Sequence, residues 1–203
     1  MHFGDGAILR YYEAGEQLPV KHQLLITFND NSSLVGTVAM YGGLWAFPIG
    51  AMNDNIYYMA AKNAVSPISE AFNYAFFQAL FDDRSRKMSA KAFLATEQRI
   101  PGLGNGVLQD ILLNAGIHPK KKMNTLSDKQ LRDIFDSVKA TLIMMTDDGG
   151  RDTERDLFGN QGGYKTKLSK NNTTLLCPDC GAADKKEAYM GGSVYYCESC
   201  QAM

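Results

Sequence analysis

Pro101-Gly102-Leu103-Gly104-Asn105-Gly106 runs straight into Val107-Leu108-Gln109-Asp110-Ile111-Leu112-Leu113-Asn114-Ala115-Gly116-Ile117-His118-Pro119. Val107, Leu108, Ile111, Leu112 and Ala115 recur at helical spacing, with Gly116 as the stop and Pro119 beyond it. The glycines ahead of this helix allow close approach of a ligand to the backbone. The helix N-terminus aims free N–H groups and partial positive charge at whatever binds, and Asn105 adds a side-chain donor. A phosphate suits such a place, but a tight interhelical turn capped by Asn105 accounts for the same residues equally well. No Gly-Lys-Ser/Thr follows, so this is not a Walker loop. No strand precedes it, so it is not a dinucleotide fingerprint.

At the other end of the chain, Cys177-Pro178-Asp179-Cys180 and Cys197-Glu198-Ser199-Cys200 form a C-x2-C-x16-C-x2-C array. That spacing suits one tetrahedral zinc with all four positions taken by thiolates, hence a structural ion. Met1-His2-Phe3-Gly4-Asp5-Gly6 has no secretory character, which favours metal over disulfides. Between the pairs, two short strands around Gly191-Gly192 read as a hairpin whose turn needs positive φ. Metal binding would stabilise a segment too small to fold on its own core.

The 203 residues are 45% hydrophobic and 21% charged, which argues against disorder, and no apolar run reaches bilayer length. The net charge of -1 hides an asymmetry. Residues 1–83 carry three Lys/Arg against eight Asp/Glu, whereas residues 84–203 carry eighteen against fourteen. The basic residues cluster at Arg84, Arg86, Lys87 and Lys91, at Lys120 to Lys122, at Lys165, Lys167 and Lys170, and at Lys185 and Lys186. A solvated surface and a footprint for a phosphate backbone both fit such clusters.

Runs at Ala7–Tyr12, Leu24–Phe28 and Leu34–Val38 predict an antiparallel meander, with hairpin chemistry at Asp30-Asn31-Ser32-Ser33 and another strand after Gly42-Gly43. Trp45 is expected in the sheet core. Helices are predicted from Ser69-Glu70 through Phe72, Phe76 and Leu80, after Ser89 through Ala92 to Leu94, and from Ser127 through Leu131, Ile134, Phe135, Val138 and Met145 to Gly149-Gly150. Residues 148–174 read as a functional loop or a linker. The acidic residues there, interleaved with Arg151 and Arg155, suggest a salt-bridged loop, and the ten methionines suggest core filling. His118 reads as a turn or helix-end residue.

Taken in order, Glu97 to Asn105, Ile111 to Pro119 and the four-cysteine hairpin ending in Gln201 resemble the formamidopyrimidine-DNA glycosylase and endonuclease VIII family. The resemblance implies an α+β fold: an incomplete antiparallel β-sandwich over 1–54, a helix-two-turn-helix module over 55–150, a loop over 151–174, and a zinc ribbon over 175–203. It implies double-stranded damaged DNA as partner and base-excision repair as function, with base flipping, an N-terminal proline nucleophile and β,δ-elimination. By the same resemblance, Lys91, Gly102, Gly104, Asn105, Tyr41 and Arg151 contact DNA, and Cys177, Cys180, Cys197 and Cys200 hold one Zn2+. No membrane, no small-molecule cofactor, a monomer and a cytoplasmic location are expected.

The chain departs from the family where chemistry is concerned. It opens at what resembles the middle of the sandwich, so the N-terminal Pro-Glu is absent and no catalytic residue is assigned. The expectation is therefore a truncated glycosylase/AP lyase sequence. The alternatives are a non-catalytic damaged-DNA-binding module and a zinc-ribbon protein that binds RNA or protein. Asp5, Ala39 and Tyr41 stand at the void-filling positions, and Gly192 stands where a phosphate-clamping arginine is usual.

Overall fold

The computed structural model describes residues 2–3, 6–38, 43–51, 54–171 and 176–203. Tyr41, Ala39 and Asp5, to which the sequence assigns the void-filling positions, lie outside them. In chain order the elements are β1 (His2–Phe3), β2 (Ala7–Tyr12), β3 (Leu24–Thr27), β4 (Ser33–Val38), β5 (Leu44–Trp45), α1 (Ile56–Asn63), α2 (Tyr74–Ala79), α3 (Ala90–Ala95), α4 (Asn105–Asn114), α5 (Asp128–Asp147), β6 (Asp184–Tyr189) and β7 (Gly192–Cys197). The α+β architecture of antiparallel sheets, helical module and cysteine hairpin is as expected. No helix among the described residues is long and apolar enough to cross a membrane.

The sheet is not a simple meander. Strand β4 lies between β2 and β3 and is antiparallel to both, so β2 and β3 do not pair with each other. The β3–β4 hairpin forms where Asp30 accepts the Ser32 N–H at 2.9 Å and Asn31 takes φ 65°. β1 and β5 pair separately through His2 with Trp45 and Phe3 with Leu44. Trp45 is 42% exposed, so the expected core position is not met: a two-residue ribbon has too little width to cover an indole.

The main core lies in the helices. Phe72, Phe77, Phe93 and Phe135 meet Leu108, Ile111 and Leu112 of α4 and Ile134 and Val138 of α5. Phe72 stacks on Phe135 at 5.9 Å and Phe81 on Phe93 at 4.4 Å, close to the ring separations that aromatic quadrupoles favour. Helix α2 begins later than Ser69-Glu70, because Asn73, not Ser69, caps it by accepting the Phe76 N–H. Ser69 closes a turn on Ser66 instead. Ser89 caps α3, and Ser127 with Gln130 forms a capping box on α5. Gly116, at φ 66°, ends α4 and lets the Ile117 N–H close on the Leu112 carbonyl. The methionines are only partly core filling: Met145 is buried, whereas Met144, Met59 and Met190 are exposed.

Candidate nucleic-acid interface

Helices α3 and α4 are joined by two tight turns. Glu97 and Gln98 take φ 61° and 51°, a left-handed pair at non-glycine residues that the surroundings must hold in place. Arg99 does so: its guanidinium donates to the Phe93 carbonyl at 2.8 Å and pairs with Glu97 at 2.6 Å, while Glu97 also pairs with Arg84. The chain then reaches Gly104, the N-cap of α4, which has no side chain to satisfy the first N–H groups of that helix.

The cysteine hairpin packs on this helix start. Its turn is Met190-Gly191, with φ 53° and 73°, rather than the Gly191-Gly192 read from sequence. Gly192 instead pairs with Tyr189 as the first residue of β7. A Cβ at Gly192 would lie 3.6 Å from Asn105 Nδ2 and 3.7 Å from Lys91 Nζ, so the hairpin tip sits directly over both donors. Asn105 Nδ2 donates to the Ser193 carbonyl at 3.0 Å. Lys91, 5% exposed, donates to the Tyr189 carbonyl at 2.6 Å, and its burial pulls the ammonium below the usual lysine range.

Sequence reasoning missed Gln109. One helical turn after Asn105, it lies on the same face of α4, and that spacing was the available signal. Its amide donates to the carbonyls of Asn105 and Ser193 and accepts the Tyr195 N–H at 3.1 Å. Asp110 was missed as well. Its buried carboxylate accepts the N–H groups of Lys167 and Leu168 at 3.0 and 2.9 Å and a bond from Tyr164, anchoring the segment that follows the long loop. Burial raises its pKa against the effect of those donors.

Arg151 reaches the same helix start from the other side. A Cβ at Gly106 would come within 2.5 Å of its guanidinium, so only glycine leaves room for this packing. Glu154 pairs with Arg151 at 2.6 Å and has its own pKa lowered by that bond, whereas Arg151 Nε is buried without a partner. Two cavities flank this arginine. One, of about 310 Å³, is lined by Gly102, Gly104, Asn105 and Gly106, and the other, of about 380 Å³, by Asn105, Gln109, Lys170 and Ser193. Lys91, Gly104, Asn105 and Arg151 are thus brought together, with Gly102 on the turn beside them. The loop carrying Arg151 is ordered by backbone bonds from Gly163 to Asp148, Tyr164 to Gly150 and Asp152 to Tyr164. Its salt bridge is Arg151 to Glu154. Arg155 donates to the Gly159 carbonyl.

The four cysteines converge at the base of the hairpin. Their sulfurs all lie within 4.8 Å of one another, with Cys177 to Cys200 at 3.9 Å and Cys180 to Cys197 at 3.5 Å. A tetrahedral zinc with Zn–S bonds of about 2.3 Å sets sulfurs about 3.8 Å apart, so the donor set fits a metal ion of this kind. Gln201 locks the site to the helices: it accepts the Cys197 N–H at 2.9 Å and donates to the Ile117 carbonyl at 3.0 Å.

Residues 64–154 match the formamidopyrimidine-DNA glycosylase H2TH domain. The chain is 27% identical over 197 residues to the formamidopyrimidine-DNA glycosylase of Cytobacillus firmus, covering 94% of this chain and 69% of the relative. It is 28% identical over 212 residues to that of Histophilus somni strain 2336, covering 99% and 77%. The chain carries an H2TH domain of this kind and is similar to formamidopyrimidine-DNA glycosylases along nearly its whole length. Its fold agrees with the MutM (Fpg) protein of Thermus thermophilus, with a TM-score of 0.76 at 20% identity over 97% of this chain and 76% of that one. It agrees similarly with the wild-type Lactococcus lactis Fpg bound to DNA containing N7-benzyl-Fapy-dG, at TM-score 0.74 and 22% identity, covering 97% and 72%. At the hairpin tip, main-chain carbonyls of Tyr189 and Ser193 meet Lys91 and Asn105.

Proposed function

We propose that this chain is a DNA-repair protein of the glycosylase type that binds damaged double-stranded DNA across the start of α4 and the tip of the cysteine hairpin. The observation that carries the reading is the uncapped N-terminus of α4 with Lys91, Asn105 and Arg151 gathered around it. Free helical N–H groups, a buried ammonium, an amide donor and a guanidinium match a phosphate in both charge and hydrogen bonding. These contacts position a strand without reading its bases. The names of the relatives and the DNA complex of the Lactococcus lactis protein support the same partner.

Cys177, Cys180, Cys197 and Cys200 would hold one structural Zn2+. Bound there, it supplies no chemistry to DNA and fixes the hairpin base, so that Tyr189 and Ser193 stay over Lys91 and Asn105. Base removal and strand cutting by an amine nucleophile need a pair such as the family's N-terminal Pro-Glu.

Borohydride trapping and a binding titration on an abasic-site duplex test the reading together. The expected result is salt-sensitive binding that favours the lesion duplex over undamaged DNA. Equal affinity for undamaged DNA or RNA would overturn lesion-directed binding, and a trapped adduct would show an amine nucleophile within this chain.

A further inference from the structure

Exposed Lys87 and Lys122, with half-buried Lys121, form a basic ledge that the site around α4 does not use. Two short segments lie side by side to build it. Ser89 bridges Lys122, the Met123 N–H bonds the Met88 carbonyl and the Ala90 N–H bonds the Lys121 carbonyl, both at 2.9 Å. The next N–H, that of Lys91, bonds the Pro119 carbonyl at 3.0 Å, so the ledge continues directly into the lysine under the hairpin. Ser89 Oγ is also 3.9 Å from Met190 Sδ at the hairpin tip.

Two neighbouring cations are neutralised and a third, Arg86, lies over the Phe81 ring, but these three have no such partner among the described residues. Lys120 pairs with Glu187 and Arg84 with Glu97, whereas among the described residues Lys87, Lys121 and Lys122 have no carboxylate partner within 4.0 Å. The nearby Asp82 carboxylate, though exposed, is engaged within its own turn, accepting the Ser85 N–H at 2.6 Å. No large hydrophobic residue of 82–126 is exposed, and the exposed side chain beside Ser89, Met190, is a single flexible thioether at the hairpin tip. A protein partner would want an aromatic or apolar anchor here, whereas a sugar–phosphate backbone requires only unpaired, mobile point charges.

We propose that this ledge holds the phosphate backbone of the duplex flanking the damaged site. The inference rests on the binding mode proposed above, and it extends the footprint beyond the lesion.

The test compares K87Q/K121Q/K122Q with the parent chain on abasic-site duplexes of about one and about three helical turns, roughly 10 and 30 base pairs. The parent is expected to bind the longer duplex more tightly. The triple variant should lose that advantage, with affinity for the long duplex down at least about tenfold and its salt slope reduced by about two to three, while binding to the short duplex holds. Loss on both lengths alike, or no loss on the long one, would overturn the ledge. Asn105→Ala separates the two proposals, because failure of that variant to weaken either duplex counts against the α4 site rather than the ledge. Equal melting temperatures of parent and triple variant exclude a folding defect.

Discussion

The Lys91 ammonium donates to the main-chain carbonyl of Tyr189 at 2.6 Å, joining the first turn of α3 to the tip of a hairpin 98 residues later. Two effects of opposite sign meet in this bond. A charged donor contributes about 1.5–3 kcal/mol, and burying an ammonium costs several kcal/mol.

Lys91→Met removes both and keeps the packing of the stem. Its melting temperature should stay within a few degrees of the parent, while affinity for an abasic-site duplex falls about tenfold and the salt slope drops by about one. Calorimetry with filter binding at several salt concentrations gives both readouts. A large drop in stability with unchanged affinity would make Lys91 a purely structural link.

Gly106 and Gly162 separate site geometry from fold. A methyl at Gly106 meets the flexible end of Arg151, whereas a methyl at Gly162 runs into the main chain of Gly150 and Arg151. Gly106→Ala should fold normally and bind DNA more weakly as Arg151 is displaced. Gly162→Ala should lose about 1–3 kcal/mol in urea denaturation. Equal denaturation midpoints for the two would contradict this placement.

Zinc content is the simplest check of the cysteine cluster. One equivalent per chain is expected by elemental analysis, with Cys197→Ser abolishing it. Chelation should expose the 184–197 hairpin to proteolysis and weaken DNA binding, while the far-ultraviolet signal of α4 and α5 persists.

His118 gives a pH signature. Burial, and then the Lys120 charge, lower its pKa below the ordinary 6.5, and its Nδ1 accepts the Lys120 N–H at 3.1 Å. Because the folded value is the lower one, the neutral ring favours the fold above about pH 6.5, and that contribution is lost as pH falls through the folded value. His118→Asn keeps an acceptor for Lys120 but cannot titrate. Between about pH 7.5 and 5.5 its stability should fall less steeply than the parent's, by up to about 1.4 kcal/mol per pH unit. Parallel profiles would rule out a titrating His118.

Local chemistry explains which parts were legible. Ser89, Ser127 and Gly116 mark helix ends through bonds to their own neighbours, and cysteine spacing reflects the demands of one ion, so these were read from sequence. The place of β4 between β2 and β3 depends on pairing across the sheet, which hairpin residues do not specify. At the site, Asn105 announced itself beside glycines. Gln109 and Asp110 looked like ordinary helix residues, because their partners lie about 60 to 90 residues away. The hairpin turn was misread by one position: Met190 adopts a left-handed conformation that its side chain gave no reason to expect.

Gln201 gives the architecture a temporal order. Helices α3 to α5 can pack as soon as they leave the ribosome, since their contacts are comparatively local. The surface over α4 cannot be finished then, because the glutamine that ties Cys197 to Ile117 follows Ile117 by 84 residues. A nascent chain that has not yet reached Gln201 would therefore carry a folded helical body over which the cysteine hairpin is not yet fastened.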